Sequence, residues 1–121
     1  MRIFKYKTFE KWAKKQGMSN IDLKKAIAEI EKGLVDANLG GHVYKKRIGL
    51  HGKGKRNSHR IIILMKIQEK AIFAHGFAKR EKGNISKDDL EGFKIMANAF
   101  LNLNNEQINI LLDNKNLIEV L

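Results

Sequence analysis

Five consecutive apolar residues, Ile61-Ile62-Ile63-Leu64-Met65, restrict this chain more than any other feature. Side chains of a strand alternate between two faces, so a run apolar at every position cannot turn one of them to water. Three of the five are β-branched, which favours a strand. "SHRIIILMKI" is therefore read as the central strand of a sheet. "AIFAHGFA" follows after the hairpin-length "QEK", so those two strands are antiparallel neighbours. "GGHVYKKRI" supplies a strand before it, and "MRIFKY" a short one at the N-terminus, where Ile3 and Phe4 alternate between flanking charges.

Helical signals fill the intervals. Thr8 is positioned to cap a helix with Phe9, Trp12 and Ala13 on one stripe, closed by Gly17. Ser19 and Asp22 have capping-box spacing, followed by Leu23, Ile27, Ile30 and Leu34 on one face, with Gly33 at the end. Ser86 and Asp89 repeat that spacing ahead of Leu90, Phe93, Ala97 and Phe100. "NNEQINILLDN" predicts a last short helix, and "LIEVL" an apolar tail. The expected fold is α+β: a small antiparallel sheet of one N-terminal and three central strands, packed by two N-terminal helices, with C-terminal helices. Ile61, Ile63 and Met65 are expected to face Trp12, Leu23, Ile27, Ile30, Phe93 and Phe100 on one side of the sheet. Arg60, sharing the opposite face with Ile62 and Leu64, is expected on an open face. With 121 residues, no proline and no linker, residues 1–121 read as a single domain.

Charge narrows the function. The formal net charge is +11, which favours a polyanionic partner. Between Asp36 and Glu69 there is no acid, while Lys45, Lys46, Arg47, Lys53, Lys55, Arg56, Arg60 and Lys66 all fall there. The remaining acids cluster in the predicted helices, where they are expected among lysines on solvated faces. Gly49, Gly54 and Lys55 occupy the places of a P-loop's glycines and lysine, but Arg56 stands where Ser or Thr must ligate Mg²⁺. A strand also follows where a helix is needed, so a nucleotide cradle is rejected. Absence of cysteine removes disulfides and thiolate metal sites and points to a reducing cytoplasm. Neither a signal-peptide apolar region nor a membrane-length span is found.

The residues for metal-assisted hydrolysis are missing: the sheet and its loops carry only Glu69 and Glu81, and His42, His51, His59 and His75 lack zinc-site spacing. His75 reads as a strand residue packed between Phe73 and Phe77. His51 and His59 can exchange a proton with RNA, although loop histidines without a role are commoner. Cations alone can cleave RNA. The 2′-OH attacks its own 3′-phosphate, which requires a base, donors for a dianionic transition state and an acid for the leaving oxygen. Crowded lysines can serve as base, and arginine forks bind phosphoryl oxygens. Simple phosphate binding uses the same residues, and the sequence does not separate the two.

The order "VYKKRI" strand, glycine-bearing basic loop, "HRIIIL" strand, then "GFAKREKGNIS" before a helix resembles the RelE-type toxins of bacterial toxin-antitoxin modules. It is most similar to the branch related to HigB, through the runs "GLVDANLGG" and "FAKREKGNIS". The resemblance spans nearly the whole chain. It implies a basic concave sheet that cuts mRNA in the ribosomal A site without metal or other cofactor. The implied partners are the ribosome with its mRNA and a cognate antitoxin, a helix-turn-helix protein from an adjacent gene. Carried over residue by residue, the resemblance implies Lys45, Arg47, Arg60 and Arg80 as the catalytic set. The tyrosine that some relatives place at the start of the last helix falls on Ser86, or on Asn84 with a small shift. A serine there is first an N-cap. Either a Lys, Arg or His takes over as the acid, or the rate is lower. Lys46, Lys53, Lys55, Arg56, His59 and Lys79 are RNA-binding candidates on charge and placement. The alternative within the same superfamily is a ParE-like toxin that poisons gyrase by contact. A plain RNA-binding module is disfavoured because aromatic content is 7%, most of it on apolar stripes.

Overall fold

A computed structural model describes residues 1–49, 59–78 and 85–121. The chain passes from β1 (Arg2–Tyr6) straight into α1 (Lys7–Gln16), then α2 (Asn20–Glu31), β2 (Ala37–Asn38), β3 (Val43–Ile48), β4 (His59–Lys66), β5 (Lys70–Ala78), α3 (Lys87–Leu101), α4 (Asn105–Asp113) and β6 (Leu117–Glu119). The fold is α+β. Because no loop separates β1 from α1, the N-cap is Tyr6, without a side-chain bond, rather than Thr8. Gly17 does terminate α1, at φ 71°. Both predicted capping boxes form, at Ser19/Asp22 and Ser86/Asp89, and Asn104/Gln107 makes a third at α4. Leu34 lies beyond the end of α2 and is 56% exposed, so it does not extend the stripe.

Among the described residues six strands form one sheet in the order β2-β3-β4-β5-β1-β6. β3, β4 and β5 are antiparallel, as the hairpin spacing predicts. β1 instead runs parallel to β5, so the sheet is mixed: two helices between β1 and the rest form the crossover that a parallel pair needs. The tail "LIEVL" contributes β6, antiparallel to β1. Arg2 donates from Nε and Nη2 to the two Glu119 carboxylate oxygens at 2.9 Å each, across these strands. That hydrogen-bonded pairing holds the Glu119 carboxyl below its usual range.

β4 is central and its five apolar residues are fully buried, but the two faces serve two cores. Ile61, Ile63 and Met65 pack with Phe9, Leu23, Ile27 and Ile30 under α1 and α2. Ile62 and Leu64 pack with Phe4, Phe93, Ala97 and Phe100 under α3. Phe93 and Phe100 are thus on the side opposite the one expected, and the Ile62/Leu64 face is covered rather than open. A bulge in β5 accommodates both packings: Ile62 opposes His75 and Ile63 opposes Phe73, leaving Ala74 over. His75 consequently faces α3, its ring 5.8 Å from Phe93 and 6.0 Å from Phe77, while Phe73 stacks on Phe9 at 5.4 Å on the other side.

At Gly76 the sheet leaves room for a side chain of α1. A Cβ built there would overlap the Trp12 ring, which also packs against Phe9 at 5.6 Å. Gly76→Ala is expected to destabilise the fold by about 1–3 kcal/mol, the usual cost of overpacking. The urea midpoint, followed by fluorescence of the single tryptophan, measures it. An unchanged midpoint would show that α1 shifts aside without cost.

Candidate nucleic-acid interface

Strand alternation sorts the cations of β3. Lys45 opposes Ile62 and Arg47 opposes Arg60, so all three cations share the α3 face, to which Ile62 belongs. Val43 belongs to the same face and Ile48 to the other, in keeping with that alternation. Arg60 and Arg47 are directly opposed on neighbouring strands, with Phe77 on the far side of Arg60. Opposed like charges in a sheet are destabilising. Here the opposition anchors two arginines at neighbouring positions of paired strands. Arg47 is exposed and Lys45 half-buried, whereas the Arg60 side chain is only 12% exposed and its Nε lies 3.4 Å from Asp36 Oδ2.

Lys46 does not join this group. It points to the α2 side, where it is buried and its Nζ lies 2.9 Å from Glu29 Oε1. His59 also faces the helices: its Nε2 is 2.8 Å from Gln16 Oε1, and its ring packs edge-on against Trp12 at 5.5 Å. Ser86 is an N-cap, its hydroxyl accepting from Asp89 N–H at 3.0 Å. Lys53, Lys55, Arg56, Lys79 and Arg80 lie outside the described residues, as do His51 and Asn84.

Sequence reasoning missed Asp36. Its one signal is position, as the acid that opens the acid-free span. In the structure its N–H donates to the Lys45 carbonyl at 3.1 Å, where β2 begins to pair with β3. Two acids of the first two helices, Glu10 and Glu29, also differ from expectation, whereas Asp22 and the exposed Glu31 do not. Glu10 turns to Lys5 at 2.8 Å and Glu29 to Lys46, with side chains only 15% and 20% exposed, while Asp22 closes the capping box. Lys7, Lys11, Lys14, Lys15, Lys24 and Lys25 stay exposed outside them. Positive charge therefore covers the α1/α2 side as well as the acid-free strands. Among the described residues no helix is long and apolar enough to cross a membrane.

Three cations fixed on adjacent strands can bind successive phosphoryl oxygens, with arginine supplying paired donors and lysine a movable ammonium. A family model described as the RelE toxin of the RelE/RelB toxin-antitoxin system matches residues 1–120. The search of curated proteins found no match.

Proposed function

Since the chain belongs to the RelE toxin family and is the toxin of a toxin-antitoxin system, we propose that it inhibits translation by cutting mRNA on the ribosome, in the cytoplasm. The observation that carries this reading is the shared face of Lys45, Arg47 and Arg60 on adjacent rigid strands. In the proposed reaction the 2′-oxygen loses its proton to a base and forms a bond to the adjacent phosphorus. The bond from phosphorus to the 5′-oxygen breaks, and an acid protonates that oxygen. The products are a 2′,3′-cyclic phosphate and a 5′-hydroxyl. Arg60 and Arg47 act as donors to the phosphoryl oxygens, and Arg80 is assigned with them on family resemblance. Lys45 is the base candidate on this face, and neither Ser86 nor His59 is assigned as the acid. The family also implies an antitoxin partner, which we take to be a helix-turn-helix protein from a neighbouring gene.

Expression without an antitoxin is expected to arrest growth, with mRNA ends in those cells mapping inside translated frames. Purified protein is expected to cut ribosome-bound mRNA in the presence of a chelator once the ribosomes are fixed on their message. Mg²⁺-dependent cutting of naked RNA would overturn the reading. DNA breaks with intact mRNA would replace it by the gyrase-poisoning alternative.

A further inference from the structure

Building on the ribonuclease reading, we infer that Asp36 is a positioning residue for Arg60, its carboxylate setting the direction of the guanidinium before RNA arrives. Asp36 stands just ahead of β2 and Arg60 on β4, with β3 between the two strands. To bring Nε within 3.4 Å of Asp36 Oδ2, the Arg60 side chain must lie across β3, the strand that carries Lys45 and Arg47. Asp36 is itself tied to that strand through its N–H bond to the Lys45 carbonyl. The acid and the three cations are therefore gathered about β3, Lys45 and Arg47 on the strand itself, Asp36 bonded to its backbone and Arg60 reaching from β4.

Charge makes the placement informative. Asp36 borders, with Glu69 at the other end, a stretch free of acids, and on a surface that only attracts phosphate a carboxylate is a loss. Its side chain is 27% exposed against 12% for Arg60, so the pair sits partly out of water, where attraction between the two charges is less screened. Arginine has a long side chain whose rotamer freedom must be surrendered on binding. A guanidinium already oriented surrenders less. Nε is one of five donors on the fork, so engaging it selects the plane in which the others lie.

The test compares Asp36→Ala, Asp36→Glu and the double variant Asp36→Ala/Arg60→Ala with the parent. It reads the single-turnover cleavage rate on ribosome-bound mRNA, ribosome affinity and thermal unfolding. Asp36→Ala is expected to lower the cleavage rate about 10- to 100-fold, the scale on which misplacing a reacting group acts. Its ribosome affinity stays equal or tightens because a negative charge is gone, and its unfolding temperature stays near the parent's. Asp36→Glu recovers part of the rate. In the Arg60→Ala background the Asp36 change adds nothing further. A parent rate in Asp36→Ala would overturn the inference while leaving the ribonuclease reading standing, and so would a raised rate, which would mark the pair as a mask. Loss of rate in step with loss of folding would assign Asp36 a structural role and overturn it too. A parent protein that does not cut ribosome-bound mRNA at all would remove both.

Discussion

Arg60→Ala is expected to slow cleavage of ribosome-bound mRNA about a hundred- to a thousandfold, the usual effect of removing one preorganised donor to a developing anion. The residue stands second in the central strand, opposed by Arg47 on one neighbour and Phe77 on the other, so its backbone cannot adjust to a badly placed phosphate. That rigidity is what a transition-state donor requires. Arg60→Lys is expected to recover little, because an ammonium neither forks two oxygens nor reproduces the Nε contact with Asp36. Removing Arg60 takes a partner from Asp36 in a site partly out of water, so Arg60→Ala is expected to cost about 1–3 kcal/mol of stability, within a total of about 5–15 kcal/mol, and Arg60→Lys less. Rates measured on programmed ribosomes, beside thermal melts and antitoxin binding, separate the two effects. If Arg60→Lys cuts at the parent's rate, Arg60 only neutralises charge at a strand end.

Ile63→Asp should leave no folded protein at neutral pH. Ile63 is fully buried among Phe9, Ile61, Met65 and Phe73, in the core between β4 and the first two helices. A carboxylate there has no partner, and burying it costs several kcal/mol against a total stability of about 5–15 kcal/mol. Ile63→Val keeps the shape and is expected to cost only about 0.5–1.5 kcal/mol, so it controls for mutation at the site. Circular dichroism during heating reads both. A cooperative melt of Ile63→Asp at the parent's temperature would mean that this side chain is not in the core.

What could be read from the sequence was local. The capping boxes at Ser19 and Ser86 are four-residue patterns, and both form. The β4–β5 hairpin announces itself by its short connection. The two edge strands carry no comparable signal: β2 and β6 have only two and three residues, and their pairing depends on partners distant in sequence. The parallel pairing of β1 depends on where two helices deliver the chain, which periodicity does not encode. Nor did the alternating pattern of β4 say which helix covers which face, so Phe93 and Phe100 were expected on the wrong one. Within the candidate site, Lys45, Arg47 and Arg60 follow from strand parity once the register is known. Lys46 leaves the site by the same parity, and Asp36 enters it only through the pairing of β2.

The place of β1 in the sheet bears on when that sheet can assemble during synthesis. β1 is made first, yet its neighbours are β5 and β6, and the Arg2–Glu119 pair links residues 117 positions apart. At ordinary elongation rates of about 5–20 residues per second, roughly 6–23 s separate the two ends of that contact. Until the late strands emerge, β1 has backbone donors and acceptors with no strand to pair them, and neither its parallel pairing with β5 nor its antiparallel pairing with β6 can form. The sheet therefore cannot close until residues 117–119 have left the ribosome.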